Sequence, residues 1–277
     1  MARVALATWS GLPDLDADSA LLPPALAELG VQAVPAVWDD PAVDWAAYDL
    51  VVVRSTWDYT LRREEFLAWA HGVPRLLNPA PVLAWNSRKT YLRDLEAAGV
   101  PVVPTTFVAP GQEYAPPPGE VVVKPTVSAG ARDTERHADG RDGAALVARL
   151  HAQGRTAMVQ PYVDGIDAHG ETAVLLCDGE LSHAARKAPL LPPPGAEVEP
   201  GAISAREPTP EQLAVARAAI AAVPYDAPLL YARVDLVPGP DGSPLVIELE
   251  VTEPSLFLRW SPGSAQRFAA GVVRRLA

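Results

Sequence analysis

A single cysteine, Cys177, occurs in 277 residues. A disulfide framework is thereby excluded, and a cysteine-based metal site is not expected. Lying in an apolar run, Cys177 reads as a small buried hydrophobe. Positive charge is also scarce: Lys and Arg total 23 against 34 Asp and Glu, a formal net charge of −11. That balance leaves no basic footprint for nucleic acid, so any anionic ligand must be held by local cations. No apolar run approaches the roughly 18 residues of a membrane helix. The start, MARVALATWSGLPDLD, lacks the apolar core and cleavage site of a secretion signal, so a cytoplasmic protein without membrane contact is expected. The five histidines (71, 137, 151, 169 and 183) show no metal-ligand spacing and read mostly as surface residues, although His183 could face a ligand.

Apolar residues are plentiful, at 49%. The length suits two or three closely packed lobes. Prolines number 30 and glycines 19, with proline clusters at Pro116 to Pro118 and Pro192 to Pro194. Periodic apolar segments resume on both sides, so these are loops between elements.

The chemistry concentrates in Leu229 to Leu258, LLYARVDLVPGPDGSPLVIELEVTEPSLFL. Two apolar strands flank the turn-forming Pro238, Gly239, Pro240, Asp241 and Gly242. Arg233 and Asp235 are two residues apart and share a strand face, as do Glu248 and Glu250 on the next strand. One face of a β-pair thus carries an arginine and three carboxylates. Such a face is either solvated or neutralised by a cation, and hard divalent ions such as magnesium take carboxylate oxygens.

Taken in order, Arg3 to Thr8 reads as a strand, Ser19 to Leu29 as a helix stopped by Gly30, and Val31 to Val37 as a strand. Tyr48 to Arg54 is a β-branched run, as in a strand buried on both faces. A small α/β lobe to about residue 85 follows. The polar and aromatic group after its third strand (Arg54, Trp57, Asp58 and Tyr59) reads as substrate-binding or as an aromatic plug and cap before a helix over Leu61 to Ala70. Asn86 to Ala98 reads as one helix capped by Asn86 or Ser87, with Lys89 in its first turn. A cation is unfavourable there, which points to a task outside the helix. Val102 to Phe107 and Gly119 to Lys124 read as strands; the small residues Ser128, Ala129 and Gly130 that follow would let backbone amides approach phosphate. Further on come a helix over Asp142 to Gln153, a strand over Thr156 to Val163 and a hairpin, Glu171 to Cys177 with Leu181 to Lys187, turning at Asp178-Gly179. Pro189 to Pro208 reads as a long loop, Thr209 to Val223 as a helix with a capping box, and Ser261 to Leu276 as a closing helix.

The order of these features (a helical lysine, a strand-end lysine with a small-residue loop, Gln-Pro-Tyr-Val, Arg-Val-Asp, Glu-Leu-Glu) resembles the ATP-grasp superfamily over about Asn86 to Leu276. The likeness is to its glutathione synthetase, D-alanine–D-alanine ligase and RimK-type ligases. It implies an α/β (α+β) chain: a Rossmann-like pre-ATP-grasp lobe (1–85), a small ATP-grasp lobe (86–160) and a C-terminal lobe with a metal site (161–277). It implies ATP and one or two magnesium ions, or manganese, as cofactors. It also implies an acyl-phosphate intermediate and a small amino-acid-like substrate; dimers and tetramers are common among such ligases. Lys89 and Lys124 would contact the phosphates, Ser128 to Arg132 would form the flap, and Gln160, Tyr162 and Val163 would read the base. Asp167, or Glu171 in another alignment, would hold the ribose. Asp235, Glu248 and Glu250 would hold metal, and Arg233 would steady the transferring phosphate. Lys187, with Arg186 as its alternative, would meet the substrate carboxylate. Glu250 stands where the superfamily shows asparagine; a shifted alignment would put Glu250 and Thr252 in the metal roles. The segments VDWAAYDLVVVRSTWDY, DGELSHAARK and ELEVTEPSLFL further resemble a small-ligase branch that includes a cyclo-ligase closing O-ureido-D-serine to D-cycloserine. The leading reading is an ATP-dependent carboxylate–amine ligase, closing a ring or joining two molecules; a kinase stopping at phosphoryl transfer and a nucleotide-binding regulatory module are the competing readings.

Overall fold

The computed structural model describes residues 1–191, 202–226 and 229–276. Its first lobe contains β1 (Ala2–Thr8), α1 (Leu22–Ala27), β2 (Val31–Val37), β3 (Leu50–Ser55), α2 (Arg63–Gly72) and β4 (Leu76–Leu77). The strands are parallel, in the order β2-β1-β3-β4. All six residues of β3 are buried, as a strand covered on both faces requires.

Two short helices follow, α3 (Ala80–Asn86) and α4 (Leu92–Ala97), in place of the single helix expected over Asn86 to Ala98. Asn86 is the last residue of α3, not a cap, and Arg88 is extended at φ −127° and ψ 117°. The break has a tertiary cause. The Lys89 amide donates to the Thr126 carbonyl at 2.7 Å, and Asn86 bonds the Leu249 carbonyl and the Val251 amide at 2.8 and 2.9 Å. These bonds outweigh the modest gain from continuing a helix.

The second lobe holds β5 (Thr106–Val108), β6 (Val121–Pro125), β7 (Glu135–His137), α5 (Ala144–Ala152) and β8 (Ala157–Pro161). It is antiparallel in the order β5-β8-β6-β7, with α5 against it. The strand expected from Val102 begins only at Thr106. Residues 101 to 103 are diverted: Val246 donates to the Pro101 carbonyl and Val103 donates to the Val246 carbonyl. Pro104, which has no N–H to give a ladder, follows.

The third lobe comprises α6 (Gly165–His169), β9 (Glu171–Cys177), β10 (Glu180–Lys187), β11 (Ile203–Arg206), α7 (Pro210–Ala221), β12 (Tyr231–Pro238), β13 (Pro244–Glu250) and α8 (Ser264–Leu276). Its antiparallel order is β11-β10-β9-β12-β13. The β9–β10 turn has Asp178 and Gly179 at φ 54° and 83°, the left-handed pair that a tight hairpin demands. The loop expected over Pro189 to Pro208 contains β11, paired to β10. Its residues 192–201, with Pro192 to Pro194, lie outside the described residues. The capping box at Thr209 and Gln212 forms as expected. Among the described residues no helix is long and apolar enough to cross a membrane.

One core runs through the first and third lobes: Leu22 and Leu26 of α1 pack with Phe268 and Val272 of α8, alongside Leu6, Leu175 and Tyr231. Each such side chain contributes about 1.5–3 kcal/mol by leaving water. Asn78, wholly buried, stitches the lobes together. Its amide donates to the carbonyls of Tyr231 and Val251 at 2.9 and 2.7 Å, and its oxygen accepts from the Leu230 amide at 2.8 Å. Its φ of 55° is one that asparagine tolerates better than alanine. Asn78→Ala should therefore lower the unfolding free energy by about 3 kcal/mol, since it orphans buried backbone groups. Urea denaturation checks this, and an unchanged midpoint would refute the stitch.

Candidate active site

A cavity of about 590 Å³ opens where the lobes meet. Its floor is the β12–β13 pair. The register sets Arg233 opposite Glu250 and Asp235 opposite Glu248, so the four charges expected on one face are cross-strand neighbours. Asp235 is 0% exposed and does not line the cavity. It lies beneath, accepting from Lys187 at 2.7 Å and from the Arg233 guanidinium through both oxygens at 2.9 Å. Burial opposes its ionisation, but Arg233 and Lys187 outweigh that and hold its carboxyl below the usual range.

Glu248 and Glu250 do line the cavity. Glu248 pairs with Lys89 at 2.8 Å. Burial would raise its pKa, yet Lys89 and Lys124 bring it down to about 2. Glu250 accepts from Arg233, but burial prevails and pushes it up to about 7. One ligand oxygen from each of Asp235, Glu248 and Glu250 lies within 4.8 Å of the others. Those hard carboxylate donors fit a divalent cation of the magnesium or manganese kind, with Glu248 and Glu250 reaching the cavity. Thr252 is buried on Asn86 and absent from the lining, so the shifted alignment finds no support.

The cations converge from three elements. Lys187, at the end of β10, bridges Glu171 and Asp235, each at 2.7 Å. Its backbone is fixed by Gly170, at φ 68°, where a Cβ would meet the Lys187 carbonyl at 2.3 Å. Lys89 also donates to the Ser128 carbonyl at 3.0 Å, reaching away from its short helical turn. Lys124 ends β6 and is 9% exposed. Its ammonium has no hydrogen bond or ion pair among the described residues, and burial lowers its pKa. Ser128, Ala129, Gly130 and Arg132 form a wall whose bend uses left-handed backbone at Gly130, Ala131 and Asp133. Arg155 tethers that bend, bonding Asp133 at 2.6 Å and the Val127 carbonyl at 3.1 Å.

Gln160, Tyr162, Val163 and Glu171 line the cavity with Leu190, Leu191 and Ile203. Asp167 does not: both its oxygens accept from Arg136 at 2.9 Å. The ribose alternatives are thus unequal, because only Glu171 reaches the cavity. On the opposite side Trp57 and Tyr59 are lining residues, but Arg54 and Asp58 are not. Arg54 is 1% exposed and lies 4.9 Å over the Tyr231 ring, donating to the Pro254 carbonyl. Asp58 accepts from the Trp38 indole at 3.0 Å. Neither side chain lines the cavity: each is engaged elsewhere, Arg54 on the Pro254 carbonyl and Asp58 on the Trp38 indole. Arg186 donates to the His169 carbonyl and His183 bonds the Leu256 carbonyl, so neither points into the cavity.

Several lining residues escaped the sequence reading: Asn86, Tyr91, Glu253, Ser255 and Phe257. Glu253 had one available signal, an acid in an otherwise apolar and small-residue stretch after β13. Asp235→Asn should cost about 2 kcal/mol or more of stability, because it unbalances a buried pair network. Chemical denaturation reads the effect, and equal stability would mean that the network is not under charge constraint.

Residues 4–78 match the family described as the N-terminal domain of the D-cycloserine synthetase DcsG. The cycloserine biosynthesis protein DcsG of Streptomyces lavendulae is 40% identical, covering 100% of this chain and 99% of that protein. A crystal structure of D-cycloserine synthetase DcsG superposes with a TM-score of 0.91 at 39% identity, covering 99% of this chain and 100% of that one. The D-alanine–D-alanine ligase of Bacillus anthracis, solved in complex with ATP, superposes with a TM-score of 0.70 at 14% identity, covering 100% of this chain and 97% of that one; at that identity the likeness is one of fold.

Proposed function

The chain belongs to the ATP-grasp superfamily, in the branch of the cycloserine biosynthesis protein DcsG, and we propose that it closes O-ureido-D-serine to the D-cycloserine ring through an acyl phosphate. It is an ATP-dependent ligase. The observation that carries the ring-closing reading is the end-to-end 40% identity to DcsG, and the charged cavity supplies the chemistry.

A carboxylate is a poor electrophile at neutral pH. Attack of its oxygen on the γ-phosphorus of ATP expels ADP and gives the carbon a leaving group. The oxygen-bound ureido nitrogen then attacks the acyl carbon, loses its proton and forms the C–N bond as phosphate departs; water then cleaves the carbamoyl group from the ring nitrogen as carbamate, which breaks down to ammonia and carbon dioxide. Such phosphoryl transfer depends on positioning and charge neutralisation more than on covalent help. We assign the phosphates to Lys89 and Lys124, the base to Gln160, Tyr162 and Val163, and the ribose to Glu171. Arg233 faces the transferring phosphate and Lys187 the substrate carboxylate. The flap from Ser128 to Arg132 excludes water from the acyl phosphate. Trp57 and Tyr59 wall the substrate end. Magnesium held by Glu248 and Glu250, with Asp235 behind them, would neutralise phosphate oxygens. The three lobes, 1–85, 86–160 and 161–277, are assigned the substrate wall, the phosphate cover and the metal floor.

The test is product analysis. With O-ureido-D-serine, ATP and magnesium, the protein should release ADP and phosphate together with cycloserine identified by mass. ADP release only when a second amine is supplied would replace ring closure by a two-molecule ligation. Phosphorylated acid without a new C–N bond would make the protein a kinase.

A further inference from the structure

Two buried charged side chains of the cavity have no counter-ion among the described residues. Lys124 is one, and an anionic ligand explains it. The other is Glu253, which lines the cavity at 8% exposure and has no side-chain hydrogen bond or ion pair among the described residues. The neighbouring charges do have partners: Lys89 with Glu248, Lys187 with Glu171 and Asp235, and Arg233 with Asp235 and Glu250. A buried carboxylate without a partner is costly, and titratable groups so placed in a cleft cluster at functional sites. Burial first, and Glu250 next, make ionisation of Glu253 harder in the free protein.

The backbone around Glu253 is fixed with unusual care. The Trp57 indole donates to the Glu253 carbonyl at 3.3 Å, Arg54 donates to the Pro254 carbonyl, and Arg233 donates to the Ser255 carbonyl at 3.1 Å. Three separate donors therefore hold consecutive carbonyls of one loop while its acidic side chain stays free. The cavity lining also includes the aromatic residues Trp57, Tyr59 and Phe257. A lone carboxylate in a cavity with aromatic lining suits a small primary ammonium, which takes the charge and tolerates aromatic neighbours. No lysine or arginine of the described chain fills that role.

We propose that Glu253 receives the primary ammonium group of the substrate, so that the cavity selects an α-amino acid over the same acid without its amine. The inference rests on the ligase reading of this cavity and deepens it. Arg54 and Trp57 are then positioning residues, which act by setting the height of the Glu253 loop.

The experiment compares O-ureido-D-serine with its deamino counterpart, 3-(ureidooxy)propionate, in wild type, Glu253→Gln and Glu253→Asp. Calorimetric binding is measured with magnesium and a non-hydrolysable ATP analogue, and turnover is measured by ADP release. Wild type should prefer the amine. In Glu253→Gln that preference should collapse, with KM and Kd for the amino form rising about tenfold or more, while KM for ATP stays within about twofold. Glu253→Asp should restore part of the preference. Thermal melting of Glu253→Gln should match or exceed wild type, because the variant replaces an unpartnered buried carboxyl that is costly to ionise by a neutral amide of the same shape; a marked fall would assign Glu253 a structural role instead. If wild type turns over O-ureido-D-serine and Glu253→Gln keeps the amine preference, the ammonium assignment alone is wrong. If wild type neither binds nor turns over that compound, the cyclo-ligase reading fails and takes this one with it.

Discussion

Everything at this site follows from one constraint: charges held away from water must be matched. The β12–β13 register sets Arg233 against Glu250 and Asp235 against Glu248, and Lys187 reaches in from two strands away. An uncompensated charge in that setting costs several kcal/mol, so removing one partner burdens the others. The two groups that escape matching, Lys124 and Glu253, are informative for that reason. One suits an anion and the other a cation, and both line the same cavity. The lobes are oriented by the same economy of buried polar groups, with Asn78 and Asn86 completing backbone bonds on β12, β13 and the loop that follows.

Some of this was legible in the sequence because it is periodic. The two-residue spacing of Arg233 with Asp235 and of Glu248 with Glu250 announces a shared strand face, and Asp178-Gly179 announces a hairpin. Lys89 was conspicuous as a cation at the wrong end of a helix. The helix over Asn86 to Ala98 failed where tertiary bonds captured its backbone, and nothing local encodes the carbonyl of Thr126. Arg54 and Asp58 looked functional because polar residues after a parallel strand often are. Arg54 instead lies over Tyr231 and Asp58 accepts from the Trp38 indole, partners that no local spacing announces. Glu253 went unseen because it sits in an aperiodic loop, where spacing says nothing about direction.

A division of labour along the cavity emerges from the three lobes. The mixed α/β architecture is shared with ligases of low sequence identity, whereas the end-to-end likeness to DcsG includes the first lobe. That lobe contributes Trp57 and Tyr59 to the wall and, through Arg54 and Trp57, sets the loop after β13. On the proposed assignment, the substrate wall and the phosphate and metal groups thus sit on different segments of the chain.

The central claim is that the paired carboxylates of β12 and β13 form the metal floor of a nucleotide site. A crystal structure with magnesium and a non-hydrolysable ATP analogue tests it most directly. The account predicts metal on Glu248 and Glu250, the phosphates against Lys89 and Lys124, and Asp235 still paired with Lys187. Nucleotide bound with no metal at those carboxylates, or bound outside the cavity, would contradict it.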